Sequence, residues 1–403
     1  MFCLPESDNL ARCGVEKLAV LRKPLLSLVS LVFVVLICEA TFRIAAERSN
    51  SISKPHPDPD LRFAPFVSDG LLGYRLRKDW VGVHSHSDYR VIVRTNRLGM
   101  RGRRVPTDDE AKKYRILVLG DSFAFGFGVE DDEAFPAVLD RTLSADGRTI
   151  EVLNAAVPGY SFDHYLLYLR EKISTLRPDL VLIAACENDI DDLAWSALTL
   201  GSGLLPTQTQ SRVRLIDRHG RLQYVNQSNL ALPGWIERPP AWLQNRSYFF
   251  NWLRFRIARI WVRSAHSRVS REQSLVAGDA PKGEIGDLTP SEIDRGLRTG
   301  RDFRSRYHSF LFDAIIRLLE REMTPLRVVA IGPDRSGGVA QECLLSKRDC
   351  LDLSEVLGPE FFLPIDGHWN AGGHRIIARR ILAWLVSDAE LGLHKRRPTA
   401  PES

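Results

Sequence analysis

Apolar and polar positions along this chain follow three rhythms, and each predicts a different kind of element. From Leu25 to Cys38 (LLSLVSLVFVVLIC) fourteen residues are almost all apolar, preceded by a polar stretch in which Arg12, Lys17, Arg22 and Lys23 are basic. The run is short for a full span, but the long basic leader favours a signal-anchor over 24–46 that leaves 1–23 in the cytoplasm and sends the rest across. A cleaved secretory signal and a buried core helix are the alternatives. Residues 47–66, with Pro55, Pro57, Pro59 and Pro65, read as an extended linker. Over 67–112 the period drops to two: VGVHSHSDYRVIVRTN alternates as a hairpin does, and Asn96 to Gly99 is a turn, so this stretch is expected to be a small β-rich module. His84 and His86 share a strand face, read as a solvated strand in preference to a pair of metal ligands.

From 113 to 388 the third rhythm takes over. Short continuous apolar runs at Arg115 to Leu119, Ile150 to Leu153, Leu180 to Ala185 and Leu326 to Ile331 suit strands covered on both faces. Helical patterns at Glu133 to Leu143, Ser161 to Thr175 and Asp287 to Met323 separate them, and another follows at Ala371 to Val386. Strand and helix in alternation predict an α/β fold: a doubly wound, mainly parallel, flavodoxin-like sheet in three layers. The stretch from about 195 to 300 breaks the alternation. Asp217 to Gly220 is a hairpin-turn signal and Pro233 to Pro240 a loop. Phe249 to Val269 is a basic amphipathic helix, with Phe250, Leu253, Ile257, Ile260 and Trp261 on one face and five arginines between. It is read as a helix packed on the sheet, with a lid or membrane-surface element as the alternative. Residues 389–403 are expected to be a disordered tail.

The chemistry-bearing residues stand where the apolar runs stop. Gly120-Asp121-Ser122 follows the first, Gly159 (in NAAVPGY) lies beyond the second, Asn188 (in ENDI) follows the third, and Asp366-Gly367-His368 lies after the last. In a doubly wound sheet these loops open on one edge, so residues far apart in sequence can meet in one crevice. Each type suits acyl transfer. A serine hydroxyl needs a neighbouring imidazole to take its proton, which makes Ser122 the candidate nucleophile and His368 the candidate base. Asp366 would hold the ring in the useful tautomer. The backbone N–H groups of Ser122 and Gly159 and the side-chain amide of Asn188 are the candidate oxyanion donors. Asp121 and Asp189 are expected to brace loops through backbone N–H groups, and Asp163 and His164 to sit in a first helical turn. His374 is a rival base, expected instead to be a surface or packing histidine.

These blocks resemble the GDSL/SGNH hydrolase family over Ile116 to Val386, in the family's order. The resemblance implies a serine-dependent ester hydrolase working through an acyl-enzyme, on O-acetyl or related short acyl esters of an extracytoplasmic carbohydrate. An O-acyltransferase on a cell-envelope polysaccharide is the alternative, and a non-catalytic, membrane-tethered carbohydrate-binding or assembly protein the second. Asn96 to Gly102 (NRLGMRG) resembles a lead-in found in membrane-anchored members, which implies a single pass through a bacterial inner membrane with the main domain on the periplasmic side. Two departures stand out. Cys186 occupies a position where many members have glycine, and Asp-x-His is one residue shorter than the common spacing, like enzymes that acetylate bacterial exopolysaccharides.

Composition narrows the classes further. Charged residues make up 26% and hydrophobic ones 44%, as in ordinary globular proteins, and a net charge of +5 over 403 residues is too mild to argue for nucleic acid. The six cysteines do not form a metal pattern, and no metal or organic cofactor is implied. Cys343 and Cys350 flank a short polar loop and form a candidate disulfide if the domain lies outside the cytoplasm.

Overall fold

The computed structural model describes residues 29–45, 65–86, 88–103, 114–145, 150–193, 212–216, 222–226, 280–331 and 350–388, with Ser27, Leu391 and scattered positions from 240 to 260. Residues 29–45 form a helix, α1, on which Val29 and Leu31 to Ile37 are all exposed. Among the described residues no helix is long and apolar enough to cross a membrane. The C-terminal part of α1 is pinned: Glu39 accepts from Ser247 Oγ at 2.7 Å and from the Tyr248 and Phe249 N–H groups at 3.1 Å, and Phe42 lies against the Phe249 and Trp252 rings. The leader, most of the linker and the tail lie outside the described residues.

Two small antiparallel pairs come next, β1 (Phe66–Asp69) with β2 (Gly73–Leu76) and β3 (Val81–Ser85) with β4 (Arg90–Arg94). The predicted hairpin is β3–β4. Its burial inverts the expectation for His84, which is only 4% exposed, whereas Val81 is 43% exposed. Gly82 and His84 share the covered face because that face packs against the loop beyond Ser122, with His84 against the Phe127 ring at 4.3 Å. Val81 and Val83 lie on the other face of β3, Val81 exposed and Val83 half-buried. Asn96 closes the turn as expected, its Oδ1 accepting the Leu98 and Met100 N–H groups at 2.9 and 3.0 Å.

The main body then alternates: β5 (Tyr114–Gly120), α2 (Ser122–Phe125), α3 (Phe135–Ala145), β6 (Ile150–Asn154), α4 (Phe162–Leu176), β7 (Leu180–Cys186) and α5 (Asn188–Asp192). After an antiparallel pair, β8 (Arg212–Ile216) with β9 (Leu222–Asn226), come α6 (Pro290–Thr299), α7 (Arg301–Arg321), β10 (Leu326–Ile331), β11 (Cys350–Asp352) and α8 (Ala371–Ser387). The five-stranded sheet has the order β11-β10-β7-β5-β6 with every neighbouring pair parallel. β5 and β7 are almost wholly buried, as their apolar runs require. From β5 the chain moves one way along the sheet to β6 and then back past it to β7. Right-handed crossovers in opposite directions put α3 and α4 on opposite faces, α3 packing with α8 and α4 with α7. The order therefore reverses between β5 and β7, the place where such sheets bind ligands at their carboxyl ends.

Three elements depart from the pattern. The helical region expected over Asp287 to Met323 is two helices, because the extended backbone of Gly300 (φ 177°, ψ 167°) ends α6 before α7 restarts at Arg301. The helix expected from Glu133 begins at Phe135, since the Glu133 carboxylate instead accepts the Glu130 N–H. The strand β11, three residues long, is too short to leave a periodic trace. The strands flanking the predicted Asp217 to Gly220 turn pair as β8 and β9, while the turn lies outside the described residues.

Candidate active site

Ser122 opens α2 directly beyond β5. Asp121 caps that helix, its Oδ1 accepting the Phe123 N–H at 2.9 Å. Four residues later Gly126 ends it at φ 85°, where a Cβ would meet the Ala134 Cβ at 2.5 Å, so the tight return is open only to glycine. The Ser122 hydroxyl is thereby held at the sheet edge. It lies 2.8 Å from His368 Nε2.

His368 and Asp366 come from the loop that precedes α8. That loop is closed by the Leu363 N–H donating to the His368 carbonyl at 2.7 Å, and Asn370 then caps α8 through the Gly372 and Gly373 N–H groups. Asp366 Oδ1 faces His368 Nδ1 at 2.5 Å, and the Phe123 and Phe127 rings flank the imidazole at 4.8 and 4.9 Å. In the neutral imidazole the proton belongs on Nδ1, donated to Asp366, which leaves Nε2 to accept from Ser122. Burial pushes the Asp366 carboxyl up, but the hydrogen bond and charge of His368, with His86 beyond, together hold it below its ordinary value. Asp366 is thus an anion facing the imidazole.

Gly159 sits at φ 77° in the loop beyond β6, where a Cβ would come within 2.9 Å of the Tyr74 hydroxyl. That hydroxyl donates to the neighbouring Pro158 carbonyl at 2.9 Å. Among the described residues neither the Ser122 nor the Gly159 backbone N–H donates to a protein acceptor.

Asn188 opens α5, but its amide is engaged. Nδ2 donates to Asp121 Oδ2 at 3.0 Å and to Asp192 Oδ2 at 2.8 Å, so both of its hydrogens point at carboxylates. Burial pushes Asp192 up to about 7 against the pull of the Asn188 amide, with the Asp121 and Asp191 charges adding to the rise. Burial likewise raises Asp121, and raises Asp189 well above the usual range with the Asp121 charge as the next cause. Asp189 braces its loop, Oδ2 accepting the Cys186 N–H at 3.0 Å and Oδ1 facing the Tyr165 hydroxyl at 3.3 Å. On the outer side of α5, Arg301 and Arg304 of α7 pair with Asp191, and Arg301 also pairs with Glu187.

The other expected residues fall as follows. His374 is 1% exposed and accepts the Phe135 N–H on Nδ1 at 3.3 Å; burial holds it down to about 3, so it is a neutral packing histidine. Asp163 and His164 lie in the first turn of α4, Nδ1 to Oδ1 3.0 Å. Cys186 is a buried free thiol, raised by burial. Cys350 is disulfide-bonded, and Cys343 lies outside the described residues. Among the described residues no group of three or more His, Cys, Asp or Glu is arranged to hold a metal.

The sequence reading missed the residues of the β module that reach this site. Besides Tyr74, the buried Arg101 donates to the Gly126 and Val129 carbonyls at 3.1 and 2.8 Å and to Asp131 at 2.9 Å, fastening the loop beyond Ser122. Asp88 Oδ2 accepts the Ile365 and Asp366 N–H groups at 2.8 and 2.7 Å, and the Tyr89 hydroxyl lies 3.3 Å from Asp366 Oδ2. The sequence signal for Asp88 and Tyr89 was an Asp-Tyr pair in a hairpin turn, and for Arg101 its place in NRLGMRG.

No protein-family model matches the chain. Over 75 residues it is 32% identical to an arylesterase of Vibrio mimicus, a stretch that takes in 19% of this chain and 38% of that relative. Among solved structures, it is similar to the psychrotrophic esterase EstA of Pseudoalteromonas sp. over 70% of this chain and 100% of that one, at 11% identity and a TM-score of 0.35. For a lipolytic protein of the G-D-S-L family from Desulfitobacterium hafniense the shares are 68% and 100%, at 10% and 0.34. For a family 3 carbohydrate esterase of Clostridium thermocellum they are 68% and 96%, at 12% and 0.33. These three solved structures are two esterases and a lipolytic protein of the G-D-S-L family, at likenesses so low that the chemistry of this site rests on its own atoms.

Proposed function

We propose that the chain is a serine-dependent ester hydrolase of the SGNH type. The observation that carries this reading is the ordered run of hydrogen bonds from Ser122 Oγ through His368 to Asp366, at 2.8 and 2.5 Å. In this reading Ser122 Oγ attacks the ester carbonyl carbon while its proton passes to His368 Nε2, and the carbonyl electron pair becomes an oxyanion. The Ser122 and Gly159 N–H groups receive that charge, and Asn188 joins them by turning one amide hydrogen away from a carboxylate. Collapse expels the alcohol, which takes the proton from His368, and water then repeats the sequence on the acyl-enzyme.

Hydrolysis of O-acetyl or similar short acyl esters on an extracytoplasmic carbohydrate is the substrate reading, with transfer of the acyl group to an envelope polysaccharide hydroxyl as the second. It draws support from the motif resemblance and from the Cys350 disulfide, which belongs to an oxidising compartment. We place the domain on the periplasmic side of a bacterial inner membrane, tethered by a signal-anchor to which α1 contributes. The exposed apolar residues from Val29 to Ile37 support that placement. The test is an ester panel from acetyl to decanoyl on the full chain in detergent. Turnover highest on the short esters and abolished in Ser122→Ala supports the reading; turnover that survives Ser122→Ala sinks it. Free acetate against acetate moved onto an added glycan separates hydrolysis from transfer.

A further inference from the structure

The hydrogen bonds at Ser122 do not stop at Asp366. While Oδ1 faces His368, Oδ2 faces the Tyr89 hydroxyl at 3.3 Å, and on its far side that hydroxyl lies 3.2 Å from His84 Nε2. A phenol has one proton and a carboxylate can only accept, so Tyr89 donates to Asp366 and His84 presents Nε2–H to Tyr89. Burial and the Asp366 charge both raise the Tyr89 phenol, which keeps it a donor, and burial holds His84 down to about 3, which keeps it neutral with a single ring N–H. Donors thus point one way from His84 through Tyr89 to Asp366.

The neighbouring residue acts on the same loop. Asp88 Oδ2 accepts two successive N–H groups, those of Ile365 and Asp366. This loop needs such support, since Ile365 is 67% exposed and the loop's backbone bonds, Gly367 to Leu363, Leu363 to His368 and Asn370 to Phe361, leave the Ile365 and Asp366 N–H groups to Asp88. Phe in place of Tyr89 would fill the same space, so packing alone does not account for a hydroxyl aimed at the free oxygen of Asp366.

We infer that Tyr89 and Asp88, at the tip of the β3–β4 hairpin, are positioning residues for the acid–base pair: Asp88 fixes the backbone that carries Asp366, and Tyr89 fixes its carboxylate so that Oδ1 faces His368. The inference rests on the reading of Ser122 as nucleophile and His368 as base.

Its test uses the full chain with Tyr89→Phe, Asp88→Ala and Asp88→Asn, read by kcat against KM on a short acyl ester and by the hydrogen-bonded Nδ1 proton of His368 in NMR. A hydrogen bond to a charged group supports an expected drop of about tenfold in kcat for Tyr89→Phe, with KM within about twofold and the Nδ1 line displaced. Asp88→Ala behaves likewise, and Asp88→Asn, whose amide oxygen can accept the same two N–H groups, keeps kcat within about threefold of the parent. Parental kcat with an unmoved Nδ1 line in Tyr89→Phe overturns the inference, as does a loss that falls on KM or that Asp88→Asn fails to restore. If the parent turns over no ester, the function reading fails, and the Nδ1 line alone then decides whether Tyr89 holds the Asp366–His368 pair.

Discussion

Asn188 has two amide hydrogens, and both point at carboxylates, the buried Asp121 and the half-buried Asp192. Its partners matter as much as its own chemistry, because a donor shared with an anion reaches a developing oxyanion only by leaving that anion. Removing one oxyanion donor elsewhere costs about 10²- to 10³-fold in kcat, so Asn188→Ala is predicted to fall in that range with KM little changed. A loss confined to KM would assign Asn188 to substrate binding. Asp192 makes a separate prediction. Its carboxyl is pushed from 3.8 up to about 7, so the folded chain keeps a proton that the unfolded chain releases. The stability tied to that proton is full below the ordinary carboxyl range and is lost as pH rises through about 7. Thermal unfolding of Asp192→Asn should therefore show a flatter decline of the midpoint across that window and a higher midpoint above it. A decline as steep as the parent's would contradict the burial that drives the shift.

At the level of elements, the strands were legible where burial on both faces left an unbroken apolar run: β5, β6, β7 and β10 all lie within a residue of their expected ends. What failed was what periodicity cannot carry. β11 is too short, the break between α6 and α7 is one extended residue at Gly300, and the buried face of β3 was chosen by the loop it packs on. The turn after α2 shows the same limit: only glycine fits at Gly126 because of the Ala134 side chain across the turn. Gly126→Ala forces a left-handed backbone on a residue with a Cβ and a contact that something must relieve. The predicted destabilisation is about 1 to 3 kcal/mol by denaturant unfolding, with reduced Ser122 reactivity; an unchanged midpoint would contradict it.

Across the whole molecule, Ser122, Gly159, Asn188, Asp366 and His368 could be placed from sequence because each stands at the end of a strand or in the last loop, and sheet topology does the rest. Asp192, Tyr89 and Arg101 could not, since their parts depend on which side chains meet after packing. The β module turns out to be joined to the main body through Tyr74, Asp88, Tyr89 and Arg101, which fasten the loops carrying Gly159, Asp366 and Ser122. A chain beginning at residue 113 is accordingly predicted to lose ester turnover and cooperative unfolding, whereas one beginning at Asn50 keeps both. Equal activity of the two would show the module to be separable.

The central claim is that His368 makes the Ser122 hydroxyl nucleophilic. The most direct measurement is the rate at which a fluorophosphonate labels the full chain, with the modified residue located by mass spectrometry. Labelling is predicted at Ser122, absent in Ser122→Ala and slower by about a hundredfold or more in His368→Ala. Labelling of His368→Ala at the parental rate, or a parent that is never labelled at Ser122, would contradict the account.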